Sequence, residues 1–388
     1  MKFLLFLISI CHCYASSINF IEECPYAVHE ENTKINQLRS DVGVFARAGN
    51  EFISVSNFLA MGYCCKSMLY LPEELHYIPT SMNGFKTEYN KFDFSTAELP
   101  DEFDWLYSDE RICEPDSFFR GRSAYTMQNE NANPLHPSLI ECIGSFYLRG
   151  CEKSYIGSVI DTNDCPLNEN KGDGSLVMHI RSGDVFLKEL KAHGQPPLQY
   201  YLNGIWKKNW DRVSIITHHD YVNKEEVHIK VDSHNDLNPV YSELYKMVNN
   251  GEFGDLNINM YPNRTVYEDL KDLTCANGII SSRSSFSSLA ISHSKAQNVF
   301  VPCTCGSRHS SQKTTNLPLN YRRGDLYDSE FILSEYPERN VYGIHWERGH
   351  KGYSPFEEWK NTKRQYSEMI DFSGIDYLEE CKNSYINH

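Results

Sequence analysis

From residue 175 onward, short apolar runs alternate with stretches whose apolar residues recur three and four positions apart. Leu176-Val177-Met178-His179-Ile180 is a near-continuous apolar run, the pattern of a parallel strand covered on both faces. Leu198, Tyr201, Leu202 and Ile205 follow at helical spacing, with Pro196 and Pro197 suited to a first helical turn. Val213 to Thr217 reads as a second strand. Val240, Leu244, Met247 and Val248 lie on one face of a second helix, and Asn257 to Tyr261 suggests a short strand. Thr265 and Glu268 have capping-box spacing, which starts a third helix. "GII" (278–280), "SFSSLAIS" (285–292) and "NVFVP" (298–302) complete strand, helix and strand. Such alternation predicts a parallel, doubly wound α/β sheet with right-handed crossovers.

The first half of the chain holds one similar unit. Residues 41–72 read as strand, glycine turn, helix and strand, with Phe52, Val55, Leu59 and Gly62 or Tyr63 as the packed stripe. Residues 91–120 are acidic and aromatic with little periodicity, as in loops. The polar stretch 161–175 is a candidate domain boundary. Residues 311–388 show no clear strand alternation, so helices are expected there, with Cys381 tying the tail down. The expected organisation is a leader at 1–16, a first domain at 17–165, a second at 171–310, and a tail at 311–388 packing back.

The chain's 388 residues suit two α/β domains. A formal charge of −15 argues against nucleic acid, whose phosphates need a basic footprint; one local basic site for an anion stays possible. Lys2, the apolar run Phe3–Ile10 and the small residues Ala15 and Ser16 form a secretory leader. That run is too short to span a membrane, so no transmembrane anchor is expected after cleavage. The terminal "SYINH" is no retrieval signal. Of 13 cysteines, Cys11 and Cys13 fall in the leader, leaving an odd set read as disulfides with at least one unpaired thiol. Cys64-Cys65 and Cys303-Thr304-Cys305 lack a partner pair at zinc spacing with suitable histidines, and read as disulfides too. Asn263-Arg264-Thr265 is a glycosylation acceptor. Together these features place the protein in the secretory-pathway lumen, in the Golgi or endoplasmic reticulum, or outside the cell.

Three loops carry candidate chemistry. The first is His179-Ile180-Arg181-Ser182-Gly183-Asp184. A guanidinium at the end of a buried strand can grip phosphate in a bidentate manner, and Gly183 lets the backbone come close. The bland alternative is an Arg–Asp pair closing a tight turn. The second is "SSRSSFSSLA" (281–290), where Ser284, Ser285 and Ser287 supply hydroxyls around Phe286 and a helix start offers free N–H groups to an anion. An ordinary serine cap is the alternative. The third, Arg47-Ala48-Gly49-Asn50, also reads as a plain strand-to-helix turn.

Taken together, "HIRSGD", "SRSSFS" and the "RAGN" turn ahead of a helix and a strand ending in Leu71-Pro72 resemble the fucosyltransferase superfamily of GT-B architecture. That group includes α1,2-, α1,6- and protein O-fucosyltransferases. Its H-x-R-x-G-D motif is matched in full, and order and separation agree over roughly residues 41–302. The resemblance implies two facing Rossmann-like domains and inverting transfer of fucose from GDP-fucose to a glycan or glycoprotein acceptor. It implies Arg181 at the diphosphate, with His179, Gly183 and Asp184 lining the nucleotide-sugar pocket. Ser284, Ser285, Phe286 and Ser287 fall at the β-phosphate and helix start, and Gly49 and Asn50 on the sugar and acceptor side. Glu189 is the candidate base, since relatives of α1,6 type have an acid ten residues after the motif histidine; within "LKELK" it equally reads as a solvated residue. Asp220, after the second strand, is a candidate nucleotide contact or a solvent-facing loop residue. No metal or other cofactor is expected, and the metal reading that His193, His218 and His219 invite is set aside. The alternatives are a transferase for another nucleotide sugar, or a secreted carbohydrate-binding protein that keeps the fold without catalysis.

Overall fold

The computed structural model describes residues 37–39, 59–66, 68–70, 91–93, 99, 101–108, 138–139, 141–143, 165, 173–182, 196–218, 221–222, 228–229, 238–262, 264–282, 284–302, 305, 332–333, 336–344, 367, 369–370, 376 and 378–381. The chain divides into two compact units: Met1–Asp161 with Thr315–Arg322, and Thr162–Thr314 with Arg323–His388.

In the first unit, β1 (Gln37–Arg39), β2 (Met68–Tyr70) and β3 (Lys91–Asp93) form a three-stranded sheet in the order β1-β2-β3. β1 and β2 are parallel, and β2 and β3 antiparallel. A parallel pair close in sequence needs a crossover, and residues 59–64, between those strands, are helical. Leu59 and Tyr63 of the expected stripe are buried; Phe52 and Val55 lie outside the described residues. Cys64 is joined to Cys142, which anchors this helix to the short helical residues 141–143.

The second unit is a seven-stranded sheet. In chain order its elements are β4 (Ser175–Ile180), α1 (Leu198–Trp206), β5 (Arg212–Thr217), the two-residue strands β6 (Tyr221–Val222) and β7 (His228–Ile229) of a separate hairpin, α2 (Pro239–Asn249), β8 (Asn257–Pro262), α3 (Val266–Cys275), β9 (Gly278–Ile280), α4 (Ser285–His293), β10 (Asn298–Phe300), β11 (Asn340–Ile344) and β12 (Leu378–Glu380). The strand order is β12-β11-β10-β9-β4-β5-β8. Every neighbouring pair is parallel except β11 and β12. Numbered from β4 within the sheet, this is the 3-2-1-4-5-6 order of a doubly wound α/β sheet, with one antiparallel strand added.

Alternate residues of each strand face opposite sides, and both sides are covered. Leu176, Met178, Ile180, Val213, Ile215 and Ile280 join Leu198, Tyr201 and Leu202 of α1 and Val240, Leu244 and Met247 of α2 in one core. Val177, Ile279 and Val299 are buried outside that cluster, as are Leu270 and Leu273 of α3 and Leu289 and Ala290 of α4, and α3 packs on α4. Side chains cap the starts of α2 and α3, the second as the Thr265–Glu268 spacing predicts. Asn238 caps α2 with Pro239 at its first position. Thr265 and Glu268 form the reciprocal capping box of α3. Gly174, just before β4, has φ +82°, and a side chain there would collide with Asn277, whose Oδ1 accepts from Ser175 N–H at 3.0 Å.

One expectation is corrected. The 311–388 tail was expected to be helical, yet it supplies β11 and β12 to the main sheet. "NVYGI" is a single five-residue run, too short to show alternation by itself. It is a strand because β10 offers an open parallel edge: Val301 N–H donates to Tyr342 O at 2.9 Å, and Val341 and Ile344 become buried. Cys381 does tie the tail, through its disulfide to Cys305. A third disulfide, Cys165–Cys275, links the start of this unit to the end of α3. No helix among the described residues is long and apolar enough to cross a membrane.

Candidate functional site

β4 and β9 are neighbours in the sheet, but their onward connections run to opposite sides: β4 leads through α1 to β5, and β9 through α4 to β10. Helices that leave in opposite directions open a crevice beyond the carboxyl ends of the two strands. Arg181 and Ser182 directly follow β4, and Ser281 and Ser282 directly follow β9. Two of the three sequence motifs therefore meet at the switch point.

Carbonyls at the carboxyl end of a parallel strand run out of ladder partners, and buried ones must find others. Three side chains provide them here. Thr217 Oγ1 donates to Ile180 O at 2.8 Å, Asn238 Nδ2 to Arg181 O at 2.9 Å, and Tyr200 O–H to Ser281 O at 2.9 Å. All three side chains are buried. The ends of β4 and β9 are thus held by hydrogen bonds from β5, the cap of α2 and α1.

Across the switch point, His179 Nδ1 and Ser282 Oγ are 2.9 Å apart in a buried hydrogen bond. The His179 ring also lies against Phe286, with centroids 5.5 Å apart and planes at 57°. Ser284 caps α4, its Oγ accepting from Phe286 N–H at 3.3 Å. Ser287 Oγ donates to Ser282 O and Ser284 O, and Ser288 Oγ to Ser284 O. These hydroxyls hold the turn into α4. Ser281 Oγ is buried and makes no hydrogen bond among the described residues, leaving a polar atom at the end of β9 whose bonding capacity is unused.

The far end of α4 is held as firmly. The buried Arg339 guanidinium donates to Ile291 O at 2.8 Å and to Ser294 O at 2.7 Å, and stacks 3.8 Å from the Tyr336 ring centroid. Burial pulls its pKa down from the usual value, opposed by Tyr336 and Glu338. A cation at the carboxyl end of a helix complements the dipole whose positive end faces the crevice.

Of the sequence candidates, His179, Arg181, Ser284, Phe286 and Ser287 are brought to this one edge. Arg181 is half-buried, and Ser287 is fully buried with its hydroxyl engaged inside the turn. Ser285 stands in the first turn of α4. Gly49, Asn50, Gly183, Asp184, Glu189 and Asp220 lie outside the described residues. Beside Ser281 and Ser282, Thr217, Tyr200 and the donor end of Asn238 also stand at this edge and carry no motif of their own. Asn-Pro before an amphipathic run does announce a cap, but no local signal says that the same amide reaches a strand end 57 residues earlier. Among the described residues no group of three or more His, Cys, Asp or Glu side chains is arranged to hold a metal ion.

Such an edge can bind an anion. It combines a guanidinium, a capped helix start and a histidine whose Nδ1 is already engaged, at strand ends held by hydrogen bonds. No family model matches the chain, and no curated protein matches it.

Proposed function

We propose that the chain is an inverting glycosyltransferase of GT-B type that moves fucose from GDP-fucose to a glycan or glycoprotein acceptor in the secretory-pathway lumen. The carrying observation is the convergence of His179–Ser182 from "HIRSGD" and of Ser282 and Ser284–Ser287 from "SRSSFS" at the switch point of a 3-2-1-4-5-6 sheet, joined by the His179–Ser282 hydrogen bond. The motif resemblance supplies the donor; the doubly wound order supports a nucleotide at that edge. The three disulfides between described residues support an oxidising compartment.

In this reading the acceptor hydroxyl oxygen forms a bond to fucose C1 while the C1–O bond to the β-phosphate breaks on the opposite face. Negative charge grows on the departing GDP. Arg181 and the N–H groups at the start of α4 face that charge, preorganised by the bonds to Ile180 O, Arg181 O and Ser281 O. The acceptor proton passes to a carboxylate, with Glu189 the candidate, and the donor chemistry calls for no metal. The first domain of the GT-B reading, with Gly49 and Asn50, serves the acceptor.

A thermal-shift screen of nucleoside diphosphates and their sugars tests this directly. Selective stabilisation by GDP and GDP-fucose is expected, and Arg181→Ala should remove it, with a loss on the order of 3 kcal/mol in transition-state stabilisation where turnover is measured. A shift with uridine nucleotides alone would replace the donor. Glycan binding without any nucleotide response would sink the transferase reading.

A further inference from the structure

We infer that Asn238 is a positioning residue for Arg181, aiming the guanidinium as it leaves β4; the inference rests on the nucleotide-diphosphate reading of this edge. Asn238 is fully buried at 0% exposure and uses both ends of its amide. Oδ1 accepts from Val240 N–H at 2.9 Å and Tyr241 N–H at 3.4 Å, which caps α2. Nδ2 donates to Arg181 O at 2.9 Å.

A helix cap needs only the acceptor, and Ser, Thr or Asp would supply one. The donor half serves the strand end. Arg181 O belongs to the peptide between Arg181 and Ser182, while Ile180 O, held by Thr217 Oγ1 at 2.8 Å, belongs to the peptide before Arg181. Because each peptide is a rigid plane, holding both sets the direction in which the Arg181 side chain departs. Bidentate contact with phosphate is sensitive to that direction, and small misplacements of a binding group are costly.

The amide separates the two jobs experimentally. Asn238→Asp keeps the cap acceptor and removes the donor. Asn238→Ser also keeps a cap, with a hydroxyl too short to reach Arg181 O, and carries the test should the aspartate variant fail to fold. Calorimetry on the full chain would measure GDP and guanosine binding to the parent, to both variants, to Arg181→Ala, and to Asn238→Asp combined with Arg181→Ala. Expected are about a tenfold loss of GDP affinity, unchanged guanosine affinity, and no further loss when Arg181 is already absent. Equal loss of GDP and guanosine would mark a merely structural residue and overturn the inference. So would variants that bind GDP as the parent does, while leaving the nucleotide reading intact. A parent that binds neither compound overturns both.

Discussion

At the residue scale, one carboxylate is held in an unusual state. Asp269 is buried in α3 beside Arg264, whose Nε donates to Asp269 Oδ1 at 3.0 Å and whose Nη2 donates to Asp272 Oδ2 at 2.8 Å. Burial pushes the Asp269 pKa from 3.8 up to about 7, outweighing the pull of Arg264, with Asp272 and Glu268 adding to the rise. The folded state therefore holds this proton more tightly than the unfolded chain does. Its contribution to stability is complete below the unfolded value and fades as pH rises toward the folded one. Asp269→Asn mimics the protonated form. Its melting temperature relative to the parent should climb between about pH 4 and about pH 7; a constant difference across that range would refute the assignment. Gly278 makes a second prediction. An added Cβ would run into the Trp210 ring and meet Leu176, so Gly278→Ala should cost about 1–3 kcal/mol in denaturant unfolding.

At the element scale, α4 is the piece on which the site depends, and its two ends are fixed by different means. Ser284 caps the start, and Ser284→Ala should cost about 1 kcal/mol of stability, whereas Ser284→Gly should cost only a few tenths. Arg339 clamps the other end with two charge-assisted bonds to carbonyls. A lysine at that position keeps the charge but cannot reproduce the planar fork. Arg339→Lys should therefore lower stability by about 2 kcal/mol, read as a shift in the denaturant midpoint. An unaffected midpoint would mean that the helix does not rely on the clamp.

At the scale of the whole molecule, disulfides close long stretches of chain. Cys165–Cys275 and Cys305–Cys381 span sequence separations of 110 and 76 residues. The second holds β12, the antiparallel strand at the edge of the sheet, which also pairs with β11 and packs Leu378 into the core. Replacing Cys305 and Cys381 together by serine should cost about 2–5 kcal/mol. Amide exchange should rise first in β11 and β12 while β4 and β9 stay protected, because edge strands open before central ones. The excess of acidic residues, a net −15, leaves any anion site dependent on a few local cations such as Arg181.

Local chemistry made much of the second unit legible before any coordinates. Burial on both faces writes itself as continuous apolar runs, so β4, β5 and β9 could be read directly. The cap at Thr265 follows from a side chain bonding an N–H group three residues away. The strand–helix alternation, the expectation of disulfides and the two motifs at strand ends belong to the same local class. Strand order was decided by the tertiary structure alone, since nothing along the chain states that β9 lies beside β4 rather than beside β8. The tail strands were hidden for the same reason: a short apolar run becomes a strand only when a neighbouring edge offers hydrogen bonds. The grips of Thr217, Tyr200 and Asn238 on distant carbonyls, and the His179–Ser282 bond across 103 residues, likewise exist only once the sheet brings those ends together. Periodicity records what each residue faces, but pairing is a property of two segments at once.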